Sequence, residues 1–362
     1  MTSRSTFAPP ASGIIDALLE LTVLGSFSRI GPAIRGPLFG WTQPPADALT
    51  GRTVLVTGPT SGLGRATTLA LAGLGARVVL VGRDARKLEA LREDLLARHG
   101  TDRFPVVVAD LSSLDAVRAA VATIRSTERR LDVLVDNAGA IHDERRLSPD
   151  GIEATFALMV LGPFALASGL LPLLRTSGGR VIAVTSGGMY TQALDLDDLG
   201  STRGPWSGSR AYARAKRAQV ALMREWARRI ARRDATFVAM HPGWSDTPGL
   251  AASLPAFHGL MGPLLRTPES GIDTVVWLAA HPDAADATGQ LFLDRRPRPF
   301  DRAPQTRLSA ADRRRLWDRV VALANVADPA PYATAGRAAH TGPASSETSA
   351  GASDGARDSS AA

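Results

Sequence analysis

The 362-residue chain contains no cysteine. Disulfides, thiolate nucleophiles and cysteine-bound metals are therefore excluded, and nothing points to an oxidising compartment. Its six histidines show no HExxH or other paired spacing, so no metal site is expected. Aromatic residues make up 5%, too few to interleave with a basic stripe. The arginines are scattered, as in Arg129-Arg130, Arg228-Arg229 and Arg313 to Arg315. Both observations argue against nucleic acid as a partner. The formal charge of +7 fits a solvated surface, or attraction to anionic lipid or an anionic cofactor. Asparagine is nearly absent, at Asn137 and Asn325 alone, and lysine is as scarce: Lys87 and Lys216 stand against 40 arginines.

A position that keeps lysine in such a chain wants a compact point charge rather than a planar fork. Lys216 lies four residues after Tyr212, on the same face of a helix. Tyrosine titrates near ~10, and moving it to neutrality needs ~4 kcal/mol in favour of the phenolate. A cation about 4 Å away at an effective dielectric of about 20 supplies ~4 kcal/mol. One ammonium is therefore enough to make Tyr212 a proton donor and acceptor. Taken alone, the spacing reads far more readily as a half-buried tyrosine beside a solvated lysine; the rest of the chain reverses that.

Residues 1–50 stand apart as an N-terminal extension. Ile14, Ile15, Leu18, Leu19 and Leu21 recur at helical spacing, with Ser12 as the expected N-cap. Asp16 and Glu20 interrupt the run, which falls short of the ~18 apolar residues of a membrane span. No basic segment leads into an apolar core as in a signal peptide. Residues 12–41 suit either a membrane interface or the protein's own body. From 51 to 328 short apolar runs alternate with helical segments. The runs are 53–57, 77–81, 104–109, 131–136, 180–185, 236–240 and 290–294; the helical segments are 63–74, 84–98, 113–127, 151–174, 209–232 and 269–281. This order predicts a single α/β, doubly wound Rossmann domain with a parallel seven-stranded sheet. A last helix is expected over 308–325. Residues 329–362, rich in Ala, Ser, Thr and Gly, are expected to be disordered.

The first strand runs into Gly58-Pro59-Thr60-Ser61-Gly62-Leu63-Gly64 and then a helix. Glycines allow a tight turn and close approach to a pyrophosphate, and the helix N-terminus offers free N–H groups. The string TGPTSGLG, then Asp136-Asn137-Ala138-Gly139, Ser186, Tyr212 with Lys216, and Pro242-Gly243-Trp244-Ser245-Asp246-Thr247 follow in order over about 50–300. Together they resemble the short-chain dehydrogenase/reductase family. SGGM (186–189) and MHPGWSDTPG (240–249) resemble its retinol-dehydrogenase-like branch, which includes an orphan dehydrogenase/reductase.

That resemblance implies that Tyr212 exchanges a proton with the substrate oxygen, Lys216 lowers its pKa and holds the nicotinamide ribose, and Ser186 orients the carbonyl or alcohol. It places Asp110 and Leu111 at the adenine and Thr247 at the nicotinamide. Gly58, Thr60, Ser61, Gly62, Leu63, Gly64, Asn137, Ala138, Gly139, Pro242 and Gly243 complete the expected cofactor site. An acid after the second strand binds the ribose hydroxyls of NAD, whereas a cation takes the 2′-phosphate of NADP. Arg83 favours NADP(H), and Asp84 keeps NAD(H) open. The family's helical asparagine is replaced by Met159, which has no strong donor or acceptor. The expected activity is therefore NADP(H)-dependent interconversion of a hydrophobic alcohol and its carbonyl. The alternative is an NADP(H)-binding regulatory or interaction protein with weakened chemistry. Gly188, Met189, Trp206, Trp244, Leu250, Phe257 and Met261 are expected around the substrate, and the long segment 191–208 over it. A cytoplasmic location is expected, with membrane association left open. Relatives pair through the helices carrying Tyr212 and Met159, so a homo-oligomer is implied by analogy.

Overall fold

Valine, leucine and isoleucine fill each short run between the helical segments. In the computed structural model these runs become strands, buried on both faces except at the sheet edge, where Val108 is exposed. The structure describes residues 10–331, of which those up to Ala330 form one compact unit. The expected tail beyond residue 331 lies outside the described residues. Three helices come first: α1 (Pro10–Leu21), α2 (Val23–Phe27) and α3 (Ile30–Leu38). Next come β1 (Thr53–Thr57), α4 (Gly62–Gly73), β2 (Arg77–Gly82), α5 (Ala85–His99), β3 (Val106–Val108), α6 (Leu114–Thr127) and β4 (Val133–Asp136). The chain continues through α7 (Ala154–Phe156), a π-helical turn (Ala157–Leu161), α8 (Gly162–Ser177), β5 (Arg180–Val184) and α9 (Gly208–Arg229). It ends with β6 (Thr236–Met240), α10 (Pro248–Ser253), α11 (Pro255–Met261), α12 (Pro268–Ala280), β7 (Leu291–Leu293), β8 (Arg296–Arg298) and α13 (Ala310–Ala324).

The sheet order is β3-β2-β1-β4-β5-β6-β7-β8. All neighbours are parallel except β7 and β8. The order reverses between β1 and β4, which opens a crevice at their carboxyl ends. One apolar layer packs α6, α8, α9 and α13 on the sheet; the other packs α4, α5 and α12. In the first layer Trp226 stacks on Phe237 at 4.7 Å and meets Trp317 of α13 edge-on, also at 4.7 Å. Each such pair adds ~0.5–1.5 kcal/mol beyond its buried area. The helical stretch 154–177 is long and apolar enough to cross a membrane, but most of it is buried in this layer.

Seven strands were expected, and the eighth is a correction. Asp294 and Arg295, with φ of 54° and 55°, form the turn between β7 and β8. Two left-handed residues in a two-residue hairpin match the right-handed twist of the strands. Neither is glycine, and each such residue costs of order 1 kcal/mol or more. Ion pairs offset that cost: Asp294 meets Arg35 and Arg266, each at 2.6 Å, and Arg295 meets Asp273 at 2.5 Å. Arg-Pro-Arg carries no apolar alternation, so nothing local announces the strand.

The N-terminal extension folds back onto this hairpin. Ser12 is not the N-cap, because α1 already begins at Pro10 and Ser12 is buried within it. Asp16 binds Arg35 at 2.7 Å and Arg298 at 2.8 Å, while Glu20 binds Arg35 at 2.7 Å and also Arg302. The helix therefore turns its acidic face inward. Its apolar face is left outside, with Ile14, Leu18 and Leu21 at 63%, 59% and 80% exposure.

Candidate active site

β1 ends in Thr57, whose hydroxyl accepts from the backbone N–H of Asn137 at 2.9 Å and of Ala138 at 3.0 Å. The Asn137 amide donates to the Thr57 carbonyl at 2.9 Å. These bonds lock the start of the glycine loop to the end of β4. Gly58 has φ +64° and Gly62 has φ +48°, so the loop turns where other residues would be strained. A Cβ on Gly64 would lie 2.0 Å from the Gly58 carbonyl oxygen. Only glycine lets α4 begin that close to the loop, with its free N–H groups facing the crevice.

The crevice holds a cavity of about 1030 Å³. Every residue named above as cofactor-binding lines it, from Gly58 through Arg83, Asp110 and Asn137 to Thr247, and so do Ser186, Tyr212 and Lys216. Of the substrate-side residues, Gly188, Trp244, Leu250 and Phe257 line it, and Met189, Trp206 and Met261 do not. Met189 is fully buried in the core. Trp206 packs on the backbone at Gly208, and Met261 ends α11 four residues beyond Phe257. The long segment after Ser186 is only partly a wall. Its Leu196 and Leu199 are buried in the core, Asp197 pairs with Arg315 of α13, and Thr191, Gln192 and Ser207 reach the cavity.

Tyr212 and Lys216 project from one face of α9. Burial pushes the Tyr212 phenol up from its ordinary value, and a hydrogen bond from Ser186 acts in the opposite direction. The Lys216 ammonium lies 5.7 Å from the Tyr212 ring centre and donates to the Val184 carbonyl at 2.8 Å. Burial pulls Lys216 down to about 8, with Asp136 holding it up. Desolvation of the phenol prevails, and the depression of Tyr212 expected from Lys216 is not found. The sequence reading missed the carboxylate at this spot. Asp136 ends β4, buried, and burial raises it to about 7 against the opposing pull of Lys216 and of a hydrogen bond that the Gln219 side-chain amide donates to it at 2.9 Å. Its other oxygen has no hydrogen-bond partner. Met159 sits on the π-helical turn, fully buried. A Cβ placed on Gly139 would be 2.9 Å from the Met159 sulfur and 3.6 Å from the Lys216 nitrogen.

At the other end of the cavity Asp84 caps α5, accepting from the Lys87 N–H at 3.1 Å, and its carboxylate lies 3.8 Å from the Lys87 ammonium. Lys87 lines the cavity beside Arg83. Both lysines of the chain thus border one cavity, and their scarcity was the signal that could have marked Lys87.

A doubly wound sheet with a glycine loop at its switch point, and serine, tyrosine and lysine in the same crevice, defines a dinucleotide-dependent oxidoreductase fold. The short chain dehydrogenase profile matches residues 52–256. The chain belongs to that family and is an NAD(P)-dependent oxidoreductase of its retinol-dehydrogenase-like branch. Dehydrogenase/reductase SDR family member 12 from Homo sapiens is 40% identical over 251 residues, covering 69% of this chain and 78% of the human protein. Retinol dehydrogenase 14 from Mus musculus is 37% identical over 287 residues, covering 74% and 84%. A short chain dehydrogenase from Shigella flexneri, solved in complex with NADP, superposes with a TM-score of 0.58 at 25% identity, covering 70% of this chain and all of that one.

Proposed function

We propose that the protein interconverts a hydrophobic alcohol and its carbonyl with NADP(H), using Ser186, Tyr212 and Lys216. The observation that carries this reading is that all three border the cavity whose far end is the glycine loop. The loop's positive-φ glycines and the close approach at Gly64 fit a pyrophosphate, and the cavity has room for a dinucleotide. Bound there, the cofactor supplies or accepts the hydride. Tyr212 gives its proton to the substrate oxygen on reduction and takes it back on oxidation. The Ser186 hydroxyl orients that oxygen, and the Lys216 ammonium stabilises the phenolate form and holds ribose hydroxyls. Asp110 and Leu111 border the adenine, and Thr247 the nicotinamide side. Arg83, with Lys87 beside it, supports NADP(H) over NAD(H), because the Asp84 carboxylate is engaged as a helix cap. Trp244, Leu250 and Phe257 make the substrate end apolar, as suits a retinoid-, steroid- or lipid-like molecule.

The test is NADPH consumption with a panel of lipophilic aldehydes and ketones. Tyr212→Phe is expected to lower turnover ~10²–10⁴-fold while NADPH still binds. Charged sugars turned over better than lipophilic ketones would contradict the substrate class. Arg83→Ala is expected to cost ~10–100-fold in NADPH affinity, the worth of a charge-assisted bond, and little in NADH affinity. Equal losses for both would remove the argument for NADP(H).

Met159 favours a second reading, a cofactor-binding regulatory protein, because it stands at the position where the resemblance puts an asparagine and offers no strong donor or acceptor. NADPH binding with no Tyr212-dependent turnover on any carbonyl would select it. We also infer that the protein touches a membrane surface through residues 12–41, on the strength of the outward apolar face of α1 and the net positive charge.

A further inference from the structure

The family match begins at residue 52, and the residue that touches both loops flanking the reacting groups comes before it. Phe27 ends α2 and is buried. Its ring lies against Gly187, the neighbour of Ser186, so closely that a Cβ there would be 2.3 Å from a ring carbon. The same ring meets Trp244 edge-on at 5.9 Å, and Trp244 meets Phe257 edge-on at 5.2 Å. Trp244 and Phe257 both line the cavity. The Phe27 carbonyl accepts from the Trp244 N–H at 2.8 Å and from Arg266 Nε at 2.9 Å. A Cβ on Gly243 would strike that carbonyl at 2.5 Å. Arg266 is in turn fixed by Asp294, which Arg35 also holds. The extension therefore carries a buried wedge locked from two sides.

We propose that Phe27 is a positioning residue for the substrate end of the cavity. It holds Trp244, and through it Phe257, at the depth that sets which carbonyl fits, and it braces the turn that follows Ser186. The extension is then part of the active site although none of its described residues lines the cavity. This rests on the oxidoreductase reading for its kinetic consequence, but the placement of Trp244 can be read without turnover.

The experiment compares the full chain with Phe27→Ala and Phe27→Leu. For Phe27→Ala, KM for bulky lipophilic carbonyls is expected to rise about tenfold or more, within the ~10²-fold that a displacement of about 1 Å can cost. KM for small carbonyls should change less, and NADPH affinity should stay within about twofold, since the Phe27 carbonyl that meets the Gly243-Trp244 turn is kept in the variant and the glycine loop lies elsewhere. Phe27→Leu should restore part of the preference for bulky carbonyls. A role in stability alone would lower the melting temperature and the rates on all substrates together. An unchanged ratio of bulky to small substrates in Phe27→Ala overturns the proposal. Should the wild type turn over no carbonyl, the oxidoreductase reading fails by itself, and Trp244 fluorescence, assigned by difference from Trp244→Phe, decides the rest. An emission shift in Phe27→Ala supports the positioning role, and an unshifted emission overturns it.

Discussion

At the scale of single residues, the buried pair of Asp136 and Lys216 makes pH the sharpest probe. Folding raises Asp136 from its usual 3.8 to about 7, so over that window the folded chain holds more protons than the unfolded one. Stability therefore falls as pH rises through it. Folding lowers Lys216 from 10.5 to about 8; there the unfolded chain holds more protons, and stability rises with pH. Asp136→Asn removes the first slope and also the carboxylate that supports the ammonium. Urea unfolding should then lose its decline between about pH 4 and 7, and the alkaline limb of kcat/KM should move down by about one pH unit or more. An unmoved limb would mean that Lys216 does not set it. The positions of Tyr212 and Lys216 were legible because helical spacing needs only local geometry. The environment that sets their proton affinities was not. Desolvation depends on the strand ends and the π-helical turn that close around them, and these come from distant parts of the chain.

At the scale of elements, the alternation of apolar runs and helical periodicity fixed the strands and most helix ends to within a few residues, because burial on both faces keeps the middle of a strand apolar. The β7–β8 hairpin escaped, since ion pairs to Arg35, Arg266 and Asp273 hold its turn rather than glycine. This makes Asp294 a junction between the N-terminal extension and the sheet edge. Asp294→Ala leaves two buried guanidiniums without their shared carboxylate and is expected to cost ~3–5 kcal/mol of unfolding free energy. Urea denaturation measures it, with exposed Lys87→Ala as a comparison worth ~0–1 kcal/mol. A loss no larger than that of the comparison would show that the junction holds nothing in place. The inward acidic face of α1 has the same cause: its spacing was visible in the chain, but which side faces in depends on arginines up to 282 positions away.

At the scale of the whole molecule, two surfaces set what the protein can meet. α13 lies across α8 and α9 through Trp317, which packs on Phe164 and Trp226, and so covers part of that helix pair. The outward face of α1 is uncovered among the described residues. Phosphatidylserine-containing liposomes are expected to carry the protein upward on flotation, more weakly at high salt, because basic residues near an anionic surface contribute ~1 kcal/mol each. Leu18→Glu with Leu21→Glu should abolish flotation without loss of NADPH binding. Flotation that survives both changes would place the contact elsewhere.

The sequence by itself determined the sheet's strands, the glycine loop and the spacing of Tyr212 and Lys216, since each depends on residues close together in the chain. Only the tertiary structure decided that both lysines border one crevice, that Asp136 shares the interior with Lys216, and that residue 27 stands behind Trp244. The physical reason is that burial and charge act through space, and a local pattern carries no record of which distant segment will close over it.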